Sequence, residues 1–256
     1  MYDYHVHTTY SDGSFLPQMI DAAERAGLDG VGFADHCNVF GADADQAYRE
    51  AMGFNLDVTY ERRRRAIDRA RERTDLRLFD AVEMDYHADR EDAIESFLDS
   101  TDFEYAIGSV HAVDGVNVHN EPYFADLSQA DREAAVETYV EHLVSLVDSE
   151  VFEIAAHVDL VERNEALRGL LTEEHYRRIA DALADSRTVP EINAGRVLDS
   201  YGEFHPRETF AETLLDAGVA FTIGSDAHAP DSLIDCSQEL RSVREEWDLP
   251  IVDSLA

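Results

Sequence analysis

Histidine and acidic side chains carry the chemistry this sequence can do, and their spacing groups them. The chain has 11 histidines. His5 and His7 are two residues apart, so on an extended strand both imidazoles face one side, and Asp226 and His228 repeat that spacing. His36, His111 and His157 each stand at or just beyond the end of a short apolar run, Glu83 ends another, and Asp12 lies in the loop TTYSDG after the first. Six imidazoles and three carboxylates exceed the needs of one tetrahedral ion, which predicts two or three divalent metals in one shared site. Nitrogen and oxygen donors together suit Zn, Mn or Fe.

Clustered divalent ions ionise water at neutral pH and neutralise an anionic substrate, the two requirements for hydrolysing a phosphate monoester. A water bridging two ions is the expected nucleophile. Asp226 is expected to orient that water while also acting as a ligand, so it is not assigned as a free general base. Arg163 and Arg196 follow predicted strands closely and could clamp phosphate oxygens bidentately, with a surface ion pair as the alternative for each. His87, His119, His142, His175 and His205 read as packed or solvated histidines, and Cys37 as a buried bystander. The arginines of the run Glu61-Arg62-Arg63-Arg64-Arg65 point in several directions on a helix, which predicts a solvated, ion-paired face.

Short apolar runs alternate with helix-period segments along the chain. Strands are predicted over 2–6, 30–34, 76–83, 105–110, 152–157, 188–192 and 220–224. Helices are predicted over 17–26, 45–73, 90–98, 129–148, 172–185, 206–216 and 232–245. Parallel strands require helical crossovers, so seven alternations predict one α/β barrel, with the site on the rim formed by the C-terminal strand ends. The alternative open, doubly wound sheet lacks a GxGxxG motif opening any helix. No Pro/Ser/Gly-rich linker or internal repeat divides the chain, so residues 1–256 are expected to form a single domain.

Composition narrows the function classes. Lys+Arg number 21 against 55 Asp+Glu, a net charge of -34. Such a chain repels nucleic acids and anionic membranes, so neither is an expected partner. Every basic side chain is arginine; the absence of lysine excludes Schiff-base chemistry, a GK[ST] phosphate loop and a lysine-bridged metal pair. An acidic, lysine-free composition resembles cytoplasmic proteins of salt-loving microbes, and activity is expected to fall in dilute buffer. Two cysteines build no disulfide framework and no membrane span is evident, so a cytoplasmic protein is expected.

The set HVHTTYSDG, ADH, Glu83, GSVH, AAHVD and GSDAH resembles the PHP (polymerase and histidinol phosphatase) family of metal-dependent phosphoesterases across almost the whole chain. That resemblance implies a distorted seven-stranded (β/α)7, TIM-like barrel with a trinuclear metal site. It implies one metal on His5, His7, Glu83 and Asp226, a second on Glu83, His111 and His157, and a third on Asp12, His36 and His228, with Glu83 bridging. The stretches VEMDYHADREDAIESFLDSTDFEYAIGSVH, AAHVDLVERN and PEINAGRV are similar to the histidinol-phosphatase branch, which implies hydrolysis of histidinol phosphate in histidine synthesis. The branch often has an aromatic residue after the arginine of its DLxxR segment; here Asn164 follows Arg163. Hydrolysis of another small phosphate ester, such as a nucleotide, and a catalytically silent metal-binding barrel are the competing readings.

Overall fold

The computed structural model describes residues 1–39 and 51–252. Seven parallel strands form a sheet in the order β1-β2-β3-β4-β7-β8-β9, and two further strands form a small hairpin. The seven are β1 (Tyr2–Val6), β2 (Gly30–Cys37), β3 (Arg77–Asp85), β4 (Tyr105–Ser109), β7 (Ile154–Ala155), β8 (Val189–Asn193) and β9 (Thr222–Gly224). The hairpin is β5 (Ala112–Val113) with β6 (Val116–Asn117). Just beyond β9, Asp226 N donates to His5 O at 2.8 Å and His7 N donates to Ala227 O at 3.0 Å, which brings the last strand back to the first and nearly closes the barrel.

Helices cover the outside: α1 (Leu16–Arg25), α2 (Tyr60–Arg71), α3 (Glu91–Thr101), α4 (Glu121–Ala125), α5 (Gln129–Asp148), α6 (Glu173–Ala184), α7 (Glu208–Asp216) and α8 (Pro230–Glu246). Their boundaries follow local chemistry. In α1, Pro17 occupies the first turn, where its missing N–H costs nothing, and Leu16, Met19, Ala22 and Ala23 make the buried stripe. Ser128 caps α5 by accepting from Asp131 N. Thr172 and His175 form a reciprocal capping box on α6, so His175 is a structural cap, in keeping with its non-ligand reading.

Strand alternation sorts the interior into two layers. Along β3, Phe79, Ala81, Glu83 and Asp85 share one face, and that face passes from apolar at the bottom of the barrel to acidic at the rim. Tyr4, Phe79 and Tyr105 pack with ring centroids 5.6–5.9 Å apart and plug the lower layer. Tyr105 crosses the barrel against Gly32, where a Cβ would collide with its hydroxyl, and donates that hydroxyl to Tyr4 O at 2.5 Å.

Three expectations change. Of the helix expected over 45–73, residues 45–50 lie outside the described residues; within the remainder, Gly53 at φ +79° precedes turns and helix resumes only at Tyr60. The strand expected over 152–157 pairs only at Ile154–Ala155, because His157 turns out of the strand at φ 27°. The arginine run does not form a uniformly solvated face. Arg65 is exposed, but Arg63 is fully buried between Asp35 and Asp80 at 2.8 Å from each.

Candidate metal centre

The rim at the C-terminal strand ends gathers every residue expected there as a ligand. Glu83, buried at the end of β3, is the hub. Its Oε2 lies 3.3 Å from His5 Nε2, 3.5 Å from His7 Nε2 and 2.6 Å from His36 Nδ1. Its Oε1 lies 3.4 Å from His111 Nε2 and 3.2 Å from His157 Nε2, and accepts from Ser109 Oγ at 2.5 Å. The remaining residues sit around this hub: His7 Nε2 is 3.1 Å from Asp226 Oδ1, and Asp12 Oδ1 is 3.2 Å from His228 Nε2.

Among the described residues, ligand atoms converge in three groups, each within 4.8 Å: His5, His7 and Glu83; His36, Glu83 and His111; and His7, Asp12, His36 and His228. These overlap the three expected sets, with four differences. His36 approaches Glu83 as well as Asp12, and His7 belongs to two groups. His157 and Asp226 fall in none of the groups and reach the cluster through Glu83 and His7 respectively.

The donor set fits divalent cations. The Nε2 atoms of His5 and His7 face each other 3.1 Å apart, while His5 Nδ1 is turned to Glu191 at 2.9 Å. Nitrogens so placed need a proton or a metal between them. Among the described residues, Glu83 Oε2 and His36 Nδ1 are buried without a hydrogen-bond partner, although they lie close together. A cation accepted by both would satisfy them. Divalent metal binding is therefore the chemistry of this rim.

The electrostatics agree. Burial opposes ionisation of Glu83, but the charges of His36, His5 and His111 outweigh it and hold the carboxyl well below its usual range. Asp226 is likewise held well below its usual range, against burial, by its hydrogen bond with His7 and the charges of His5 and His228. Burial and the neighbouring His228 and His36 push His7 down to about 4, which leaves it neutral and available as a donor. Two of the clustered residues also occupy the left-handed backbone region, His157 at φ 27° and Asp226 at φ 52°, where non-glycine residues are uncommon and strain is tolerated at functional sites.

Above the cluster opens a cavity of about 1000 Å³, bounded in part by the hairpin residues Val116 and Asn117. Arg163 lines it with only 10 % of its side chain exposed, and places a terminal nitrogen 3.3 Å from Asp226 Oδ2. Arg196 stands at the same cavity but is 53 % exposed and paired with Asp199 at 2.8 Å, so it is the looser of the two. Asn164 is buried and does not line the cavity; its amide donates to Val118 O at 2.8 Å, tying the segment after the hairpin to the turn that carries Arg163.

Several supporting residues were not singled out from the sequence. Glu191 on β8 accepts from the His157 backbone N–H at 3.0 Å and faces His5 Nδ1 at 2.9 Å, fixing the His5 imidazole and the main chain that carries His157 at once. A Cβ on Gly224 would collide with both Glu191 and His5, so glycine permits this approach. Asp85 lies 2.7 Å from His111 Nδ1 and sets which nitrogen of that ring turns toward Glu83. Asp35 accepts from Thr8 N, Thr8 Oγ1 and Ser11 Oγ, and Ser11 Oγ in turn lies 3.3 Å from His7 Nδ1. Glu83 and Asp85, like Glu191 and Asn193, are two apart on their strands, the spacing that had drawn attention to His5 and His7.

The PHP domain model matches residues 3–195, and the chain belongs to that family of barrels. Among curated proteins, a probable histidinol-phosphatase of Deinococcus radiodurans is 25% identical over 251 residues, covering 94% of this chain and 93% of its own length. The histidinol-phosphatase of Lactococcus lactis is 24% identical over 237 residues, covering 88% of this chain and 83% of its own. In structure, the histidinol phosphate phosphatase of Lactococcus lactis, crystallised with Zn, L-histidinol and phosphate, superposes with a TM-score of 0.75 at 20% identity, over 98% of this chain and 95% of that one.

Proposed function

We propose that this protein is a metal-dependent phosphomonoesterase that hydrolyses L-histidinol phosphate to L-histidinol and phosphate, a step of histidine synthesis. The observation that carries this reading is the Glu83 hub, one buried carboxylate within 3.5 Å of five imidazoles, beneath a cavity that also holds a guanidinium. The relatives named above support the choice of substrate, and the Zn held by the Lactococcus structure supports zinc among the candidate metals.

The donors are sufficient for two to three divalent ions, Zn, Mn or Fe, held by His5, His7, Asp12, His36, Glu83, His111, His157, Asp226 and His228. When bound, such ions supply positive charge for the phosphate dianion and lower the pKa of water. The protein's own side chains do the rest. Asp226, ionised and fixed between His7 and Arg163, is placed to orient the attacking water. Arg163 offers its remaining N–H groups to phosphate oxygens, and Arg196 can join it from the rim. The ligand is thus a small phosphorylated metabolite that fits the cavity.

Phosphate release should be measured with L-histidinol phosphate, a nucleoside monophosphate and an aryl phosphate, with Mn or Zn added. A strong preference for L-histidinol phosphate is expected. Preference for another ester would overturn the substrate assignment, and no turnover of any ester would overturn the enzyme.

A further inference from the structure

Arg163 is held by a built-in chain of groups that sits outside the metal cluster. Asp159 and Arg163 lie at the two ends of one short 3-10 turn, Leu160–Arg163 preceded by Asp159, and His205 bridges them from the loop that follows β8. His205 Nε2 accepts from Arg163 Nε at 2.9 Å, which leaves Nδ1 as the protonated nitrogen that donates to Asp159 Oδ1. Both Asp159 and His205 are fully buried. The second Asp159 oxygen accepts from Arg207 N at 2.9 Å, so the carboxylate is fixed too. His205 cannot swing: its backbone exchanges two hydrogen bonds with Asn193 at the end of β8, at 3.0 and 2.7 Å, and Tyr201 stacks on its ring with centroids 4.8 Å apart.

We propose that His205, oriented by Asp159, is the positioning residue for Arg163, holding its guanidinium so that the N–H groups not taken by His205 and Asp226 address phosphate. The proposal rests on the phosphatase reading of Arg163. A guanidinium has five N–H donors. One is taken by His205 and one by Asp226, which leaves three for a ligand in the cavity. The chemical type of the holder matters. A carboxylate in place of the imidazole would pair directly with the guanidinium and cancel the charge presented to phosphate, whereas a neutral ring accepts Nε–H and leaves that charge available. Asp159 secures the tautomer in which Nε2 is the acceptor. In the opposite tautomer two N–H groups would face each other.

His205→Ala should raise KM and the inhibition constant for inorganic phosphate by roughly 10-fold, the scale of one charge-assisted hydrogen bond, with kcat and metal content nearly unchanged. His205→Gln places an amide oxygen near the position of Nε2 and should recover most of that loss. In an Arg163→Ala background, His205→Ala should have no further effect on phosphate inhibition, because its action passes through the missing guanidinium. Asp159→Asn, which frees the tautomer, should reproduce the His205→Ala phenotype and serves if the alanine variant does not fold. In metal-stripped wild-type protein, 15N NMR of labelled histidine should find the His205 proton on Nδ1. An unchanged phosphate constant in His205→Ala, an equal loss in the Arg163→Ala background, or a proton on Nε2 would overturn the positioning role alone. Wild-type protein that turns over no ester and binds no phosphate would instead overturn the phosphatase reading.

Discussion

Replacing Arg63 by Met should cost the protein far more than replacing Arg65, two residues along the same helix. Arg63 is fully buried; its guanidinium donates to Asp35 Oδ2 and Asp80 Oδ1, each at 2.8 Å, and to Ala81 O. Methionine fills much of the same channel but leaves two buried carboxylates short of their cation. Removing one partner from a buried ion pair costs about 3–5 kcal/mol. Unfolding entropy of roughly 2.1 cal/mol/K per residue, over 256 residues, converts this to a fall in Tm of about 6–9 °C. Arg65 is 69 % exposed and its nearest partner, Glu61, is 3.8 Å away, so Arg65→Met should shift Tm by only about 1 °C. Differential scanning calorimetry of metal-stripped protein is the appropriate assay, since bound metal would add its own stabilisation. The consequence reaches the rim. Asp35 fixes Thr8 and Ser11, and Ser11 meets His7, so Arg63→Met should also weaken metal binding by up to about 10-fold. Equal Tm shifts for the two variants would refute the buried-pair reasoning and return the whole run to the solvated face that helix periodicity suggests.

Glu83→Gln removes the charge shared by five imidazoles, so more than one equivalent of metal should be lost by elemental analysis and turnover should disappear; retention of full metal content would remove Glu83 from its central place. Asp85→Asn frees the His111 tautomer and should lower metal affinity about 10–100-fold in competition titrations while the fold persists. Burial pushes the Cys236 thiol up to about 11, and Cys37 is buried as well, so native protein at pH 8 should take up no iodoacetamide by mass spectrometry; rapid labelling would contradict the packing around them. A net charge of -34 repels itself, and concentrated KCl should therefore raise Tm; a salt-independent Tm would show that the acidic surface imposes no such strain.

Much of the rim could be read from one chain because it depends on local rules. A β-α alternation with period-two strands places His5, His7, His36, Glu83, His111, His157 and Asp226 near equivalent strand ends, and parallel strands bring equivalent ends to one rim. Two local expectations failed for local reasons that leave weak marks in sequence. The fifth barrel strand is shortened by the left-handed backbone of His157, and the long second helix is interrupted after Gly53.

The sequence by itself determined which side chains could reach the rim, since residue type and strand period are properties of neighbouring residues. Only the tertiary structure decided how they are supported. His5 meets Glu191 across 186 residues, Arg63 meets Asp35 across 28, and His205 meets Arg163 across 42. Such pairings depend on strand register and on which helix face lies against which strand, and no periodicity in the chain encodes either. The same reason turned one arginine of a charged run into a buried clamp for the barrel, and one of the histidines set aside as ordinary into the acceptor that holds Arg163.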